Sequence, residues 1–85
     1  MTMLTETLEF EAFAAALFAE LALPAAPLDD DTRLVDDLGF DSVLRFELLL
    51  VLEDWVGVML PEALLPQIQT VGDVYEVYRT RRAHR

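Results

Sequence analysis

The sequence predicts a single all-α domain with four helices, and three observations lead to that prediction. The chain has 85 residues, a length that suits one domain around one small core. Apolar residues recur every three or four positions in three separate stretches, which is the spacing of one helix face. No stretch shows the alternation of apolar and polar residues that is typical of a half-buried strand. Residues 1–85 therefore form one predicted domain, of which residues 1–4 and 83–85 should fray.

The first helix is predicted from about Thr5 to Leu21, and Pro24 stops it. Its apolar stripe consists of Phe10, Phe13, Ala14, Leu17 and Leu21. Residues 22–41 form a long connection with two prolines, and so long an irregular segment is usually functional or disordered. Apolar side chains recur along it, so we expect it to pack against the helices rather than to be free. These side chains are Leu28, Leu34, Val35, Leu38 and Phe40.

The second helix is predicted over residues 42–56, since Asp41 is a favourable N-cap and Gly57 follows its last residue. A short third helix is predicted from Pro61, a favoured first-turn residue, to about Pro66. Residues 70–73 resemble a capping box with Asp in place of Glu and should begin a fourth helix that runs to about Arg82. The inner stripe of that helix consists of Val71, Val74, Val77 and Tyr78.

Composition and charge exclude several functions. Apolar residues make up 54% of the chain, yet its net charge is −10, from 16 acids and six bases. Such acidity argues against binding to nucleic acid or to anionic membranes, while the apolar content argues against disorder. There is no cysteine, hence no disulfide, zinc–thiolate site or thiol nucleophile. The only histidine, His84, lies near the end of the chain, which disfavours multi-histidine metal sites and Ser-His catalysis.

No targeting or membrane segment is expected. The first basic residue is Arg33, so no basic region precedes an apolar stretch as in a signal peptide. The longest nearly apolar stretch, residues 12–28, contains Glu20 and two prolines, whereas a spanning helix needs about 20 suitable residues. We expect a cytoplasmic protein that is a monomer on its own and, since it begins with Met1, a whole gene product.

The second helix carries apolar residues on two opposite faces. Leu48, Leu49, Leu52 and Val56 fall within one arc that should face the core. Val43, Phe46 and Leu50 lie on the other arc, which is edged by Glu47, Glu53 and Asp54. A domain of this size has too little mass to cover both faces, so the second arc could be a docking patch. The alternatives are that the long connection covers it or that its residues are tolerated at the surface.

Ser42 lies in the first turn of this helix. Unpaired backbone N–H groups and the positive end of the helix dipole favour an anion there, so a phosphate esterified to Ser42 would be stabilised. The alternative is that Ser42 only supports the Asp41 cap.

The segment Leu38-Gly39-Phe40-Asp41-Ser42-Val43 resembles the attachment motif of acyl carrier proteins, Leu-Gly-x-Asp-Ser-Leu. The resemblance extends over about residues 8–78. It includes the acidic pairs at 36–37 and 53–54, Glu47, residues 58–61 and residues 70–73. It implies a four-helix acyl-carrier-type bundle that is a carrier, not an enzyme. Ser42 would receive 4′-phosphopantetheine from coenzyme A, transferred by a Mg²⁺-dependent phosphopantetheinyl transferase, and Asp41 could help to hold that enzyme's metal.

The resemblance also implies partners and a docking surface. The partners would be the transferase and an acyltransferase, an adenylating enzyme or a ketosynthase that handles acyl or aminoacyl thioesters. The docking residues would be Asp37, Asp41, Val43, Leu44, Arg45, Phe46, Glu47, Leu50, Glu53 and Asp54.

Departures from the family pattern favour a discrete carrier of a polyketide-type natural-product pathway. Phe40 precedes the Asp-Ser pair, residues 44–46 are less acidic than in fatty-acid carriers, and Trp55 stands where an acid is frequent. The chain has no lysine, and all six of its Lys and Arg positions are arginine. This composition is typical of proteins encoded by GC-rich genomes. The alternatives are a carrier of primary fatty-acid synthesis and, in another class, an unmodified helical interaction module. A hydrolase using Ser42 has little support, because no partner base is evident.

Three charged features remain. Arg45 points toward the core side of the second helix, where it either pairs with Asp36 or Asp37 or contacts a polar acyl group or a partner. Residues 29–31 are three aspartates, but Arg33 and the missing glycine do not fit a calcium loop, so no metal site is expected. The basic tail, Arg79, Arg81, Arg82 and Arg85, suits a helix C-terminus or a docking role.

Overall fold

The computed structural model describes residues 8–23 and 29–82. These residues form helix α1 (Phe10–Glu20), helix α2 (Ser42–Val56), a 3₁₀ helix (Glu62–Gln67) and helix α3 (Val71–Arg81). In these two ranges no strand forms beyond one isolated bridge between Arg33 and Thr70. The all-α prediction with four helices is therefore confirmed. The expected fraying at both ends, the role of Pro24 and the packing of Leu28 lie outside the described residues.

Helix α1 begins later than the sequence predicts. The predicted start near Thr5 is wrong for Leu8 and Glu9, which are not helical. The backbone of Leu8 is instead bound by α3, because its N–H donates to the Tyr78 hydroxyl at 2.9 Å and its carbonyl accepts from the Tyr75 hydroxyl at 2.8 Å. A residue whose backbone groups bind another helix cannot also join the hydrogen-bond ladder of α1.

One hydrophobic core joins all four helices. The predicted inner arc of α2 is confirmed, since its four members are buried: Leu48, Leu49, Leu52 and Val56. Phe13 of α1 is fully buried, with its ring centroid 5.7 Å from that of Trp55, 5.2 Å from Tyr75 and 4.7 Å from Tyr78. Each such aromatic pair contributes about 0.5–1.5 kcal/mol beyond its area burial. Val77, predicted on the inner stripe of α3, is only half-buried.

The predicted third helix is a 3₁₀ helix that starts after Pro61. Pro66 lies inside it and has no backbone N–H to donate, which disfavours a continuous α-type ladder. The segment before it is fixed by Glu53, whose carboxylate accepts from Leu60 N at 2.9 Å. Gly57 ends α2 with φ of 80°, a left-handed conformation that favours glycine.

The long connection is bound to the N-terminus of α3 by backbone hydrogen bonds. Val71 N donates to Thr32 O at 2.9 Å and Gly72 N to Asp30 O at 3.0 Å, so first-turn donors of α3 are satisfied. Leu34 N donates in turn to Gln69 O at 2.9 Å. The predicted packing of the connection is confirmed for Leu34 and Phe40, which are buried.

The same packing prediction is wrong for Val35, which is 51% exposed. Its neighbour Leu34 takes the buried position, and the turn that follows carries Val35 to the outside.

Gly72 allows the connection and α3 to approach closely. A Cβ atom at this position would lie 2.7 Å from both Cβ and the carbonyl oxygen of Asp30. Real Cβ atoms do not approach other heavy atoms so closely, so any side chain here would force the two segments apart.

We therefore predict that Gly72→Ala lowers the free energy of unfolding by about 1–3 kcal/mol, because overpacking outweighs the gain in helix propensity. Urea unfolding followed by circular dichroism measures this change. Thr80→Ala, on the exposed side of the same helix, is the control and should change stability by about 0.5 kcal/mol or less. A Gly72→Ala protein as stable as the wild type would contradict the prediction.

Candidate functional site

Ser42 is the first residue of α2 and is exposed. The predicted cap is confirmed, since Asp41 Oδ1 accepts from Leu44 N at 2.8 Å. Within the described ranges, the Ser42 side chain and the N–H groups of Ser42 and Val43 have no hydrogen-bond partner in the protein. Ser42 thus presents an accessible hydroxyl beside unpaired N–H groups at the positive end of a helix.

The residues before Ser42 hold it at the surface. Phe40 is buried, and its N–H donates to Leu34 O at 2.9 Å. Gly39 has φ of 74°, which a residue with a side chain rarely adopts. A Cβ atom at Gly39 would meet no heavy atom within 4 Å, so the approach to the motif from this side is open. The conformation of Gly39 and the buried ring of Phe40 therefore fix the chain just before it emerges at Asp41.

The two acidic residues before the motif have different contacts. Asp37 Oδ2 accepts from Arg33 N at 2.8 Å and closes the turn that contains Leu34. Asp36 forms an ion pair with the Arg33 side chain at 3.4 Å, but both side chains are more than half exposed, so the pair contributes little to stability. Asp37, predicted to dock partners, is thus also part of the connection's own structure.

The outer face of α2 is exposed, as predicted. Val43 is 66%, Phe46 46% and Leu50 61% exposed, and nothing in the described part of the connection covers them. We call these three residues the apolar strip. Glu47 and Asp54 beside it are exposed as well. Docking of partners on this strip stays a prediction.

Two other predicted docking residues are partly engaged inside the domain. Leu44 is half-buried and packs against the core, so it supports α2 more than it widens the strip. The Glu53 carboxylate binds Leu60 N.

Sequence reasoning missed two exposed apolar residues beyond α2. Val58 is 44% and Met59 86% exposed. They follow Gly57, where the helical periodicity ends, so a helical projection says nothing about their direction. The one indication of their exposure in the sequence is that they directly follow a helix with an apolar outer face.

The predicted pairing of Arg45 with Asp36 or Asp37 is wrong. Arg45 Nη2 donates to the carbonyl oxygen of Leu65 in the 3₁₀ helix at 2.8 Å, and the contact is partly buried. The two carboxylates are bound by Arg33 instead. Arg45 thus joins α2 to the 3₁₀ helix.

The described residues place neither a histidine nor a metal-binding cluster beside Ser42. None of them is a histidine, and they hold no group of three acidic or histidine side chains that could bind a metal ion. In the aspartate run, Asp29 Oδ1 accepts from Asp31 N at 3.0 Å and from the Thr32 hydroxyl at 3.2 Å, which forms a local turn. His84 lies outside the described residues.

Comparison with known proteins identifies the family. A family model for the phosphopantetheine attachment site matches residues 11–77, which include all of α2 and Ser42. An acyl carrier protein of Saccharopolyspora erythraea is 38% identical over 68 residues, which cover 80% of this chain and 72% of the relative. The chain belongs to the acyl carrier protein family. An acyl carrier protein of Helicobacter pylori strain G27 is 37% identical over 65 residues, covering 76% of this carrier and 83% of the relative.

A solved structure supports the fold of this carrier. It is a candidate acyl carrier protein from Mycobacterium tuberculosis, with a TM-score of 0.67 and 37% identity, and the match covers 79% of this carrier and 89% of that chain. Members of the family are carriers rather than enzymes, and their prosthetic group is covalent phosphopantetheine. The exposed hydroxyl, the unpaired N–H groups and the open approach at Gly39 fit that group. No helix in the described ranges is both long and apolar enough to cross a bilayer.

The cap at Asp41 gives a testable prediction. Asp41→Ala should lower the free energy of unfolding by about 1 kcal/mol, whereas Asp41→Asn should keep most of it, because asparagine also caps helices well. Glu47→Ala removes an exposed carboxylate from the middle of the same helix and controls for loss of charge. Equal effects of Asp41→Ala and Glu47→Ala in urea unfolding would contradict a capping role.

Proposed function

We propose that Ser42 is the attachment residue of this carrier. The 4′-phosphopantetheine bound there would hold acyl or aminoacyl intermediates as thioesters on its terminal thiol. The single observation that carries the proposal is the exposed, unbonded hydroxyl at the capped N-terminus of α2. The carrier would then deliver these intermediates to partner enzymes in the cytoplasm.

The carrier's own residues have defined roles in this proposal. Ser42 supplies the hydroxyl oxygen that forms the new bond to the phosphorus of the pantetheine phosphate, while the pyrophosphate P–O bond of coenzyme A breaks and adenosine 3′,5′-bisphosphate leaves. Because no base in the described ranges is hydrogen-bonded to this hydroxyl, the transferase is expected to accept its proton. The first-turn N–H groups then stabilise the phosphodiester. Asp41 binds the helix through Oδ1, and its other oxygen is available to a Mg²⁺ ion held by the transferase.

We predict that the protein gains the mass of one phosphopantetheine group after treatment with coenzyme A, Mg²⁺ and a broad-specificity phosphopantetheinyl transferase. Intact-protein mass spectrometry measures the gain, and peptide mapping locates it. Ser42→Ala is the control and should gain nothing. If the wild type gains no mass, the chain is instead an unmodified helical interaction module, and a gain that survives in Ser42→Ala would contradict attachment at Ser42.

We also propose that partners dock on the outer face of α2. The body of the chain, residues 1–78, holds all 16 acids and only two bases, a net charge of −14. Exposed acids beside the apolar strip would steer basic partners toward Ser42, an effect that weakens as salt increases. The strip itself would supply the contact area. Phe46 is its largest side chain and lies one turn from Ser42, so it should contribute most.

Phe46→Ala should lower kcat/KM for acyl transfer by a cognate partner about five- to tenfold, the usual effect of truncating an important interface residue. The fold should stay intact, because the side chain is 46% exposed. Met59→Ala truncates a more exposed side chain outside α2 and is the control. Wild-type kinetics for Phe46→Ala, with unchanged circular dichroism, would refute docking on the apolar strip.

We propose a polyketide-type natural-product pathway for these partners. Support comes from the motif residue Phe40, from the weakly acidic start of α2 and from the absence of lysine. The alternative within the same class is primary fatty-acid synthesis. Reconstitution with a fatty-acid ketosynthase and malonyl transferase separates the two, because efficient turnover would favour the fatty-acid alternative.

A further inference from the structure

Arg45 is the only basic residue of α2, and its surroundings differ from those of two other arginines. Arg33 and Arg79 each form an ion pair with a carboxylate three residues away, and both are at least half exposed. Arg45 is half-buried, and the only hydrogen bond of its side chain in the described ranges goes to a neutral acceptor, Leu65 O. A guanidinium group has five N–H donors, so this cation has the capacity to bind an anion.

The position of Arg45 brings that capacity close to Ser42. Residues three apart on a helix are neighbours, with Cβ atoms about 5–6 Å apart. Long side chains on a helix lean back over the preceding turn, so the guanidinium can reach the level of Ser42. The first turn of α2 contains no acidic residue, and its helix end is positive. An anionic group esterified to Ser42 would therefore lie within reach of the Arg45 guanidinium, and the carboxylate next to it, that of Asp41, is engaged by Leu44 N.

Release of Arg45 from Leu65 leaves no buried group unsatisfied. The carbonyl oxygen of Leu65 also accepts from Ile68 N at 3.1 Å, so it keeps a hydrogen bond when Arg45 leaves. Exchange of a neutral acceptor for an anionic one strengthens the hydrogen bonds that the guanidinium makes. The present contact is thus a position from which Arg45 can move at small cost.

We propose that Arg45 is an anion-binding subsite for the group carried on Ser42. In the modified protein its guanidinium exchanges the Leu65 carbonyl for an anionic oxygen of that group. Two sources offer this oxygen: the phosphodiester that joins the arm to Ser42, and a carboxylate of an acyl cargo. The proposal rests on the proposed attachment at Ser42. If the carboxylate is the anion, acyl groups that carry a carboxylate are the preferred cargo.

The experiment compares four forms of the full chain: unmodified, phosphopantetheinyl, butyryl and succinyl. Butyryl and succinyl groups have the same number of carbons and differ by one carboxylate, and mass spectrometry confirms each loading. NMR then follows the Arg45 Nε–Hε signal and the carbonyl carbon of Leu65. A failed mass gain would refute attachment at Ser42, whereas complete loading without a change at Arg45 would refute only this subsite.

Each NMR outcome has a defined meaning. A shift of both signals in the phosphopantetheinyl form supports the phosphodiester as the anion. A shift that appears only in the succinyl form supports the carboxylate. Equal shifts in the butyryl and succinyl forms that are absent from the phosphopantetheinyl form would overturn the proposal, because an apolar chain would then be displacing Arg45. Unchanged signals in all forms would overturn it as well.

Variants separate anion binding from a purely structural role. Arg45→Met should change the phosphorus-31 shift of the phosphodiester or raise the pKa of the succinyl carboxyl group, and Arg45→Lys should restore part of that effect because it keeps the charge. Arg79→Met, on α3, makes the same change of charge and is the control. It should change neither the phosphorus-31 shift nor the pKa of the succinyl carboxyl group. If Arg45→Met alters only unfolding, with both spectroscopic values unchanged, Arg45 serves structure alone and the proposal fails.

Discussion

The backbone pairing between the long connection and the start of α3 determines where the Ser42 hydroxyl lies. Asp30 and Thr32 accept from the first turn of α3, and Leu34 donates to Gln69. These contacts join segments that lie more than 30 residues apart in the sequence. Without them, the buried side chains of Leu34 and Phe40 could not reach the core in the same register. The path of the chain from residue 30 to Ser42 therefore starts from these backbone contacts.

From this anchor the segment that leads to Ser42 is built in short steps. Asp37 closes the turn around Leu34, Gly39 reverses the chain in a left-handed conformation, and Phe40 enters the core. Asp41 then starts α2 and leaves Ser42 exposed. The steps depend in turn on a side-chain hydrogen bond, a left-handed glycine, a buried aromatic ring and a helix cap. Together these residues determine the backbone conformation that leads to Ser42. The Ser42 hydroxyl therefore lies on a surface of fixed shape.

The sequence predicted the features that depend on neighbouring residues. The cap at Asp41, the capping box at Thr70 and the two faces of α2 all arise from local spacing, and the structure contains them. The partner of Arg45 was not predictable in this way, because Leu65 is 20 residues away. The close approach at Gly72 was missed for the same reason. The sequence predicts a helix over residues 8 and 9 because no local signal shows that two tyrosines bind Leu8.

Those two tyrosines also bring the first and last described residues of the domain together. Leu8 stands at one end of the described residues, and its backbone is bound by Tyr75 and Tyr78 of the last helix. Arg82, at the other end, lies one helical turn beyond Tyr78, with its guanidinium carbon 5.6 Å from the tyrosine ring centre. Both described ends therefore meet at one corner of the fold. The chain thus enters the described fold at Leu8 and leaves it at Arg82 beside the same tyrosine ring.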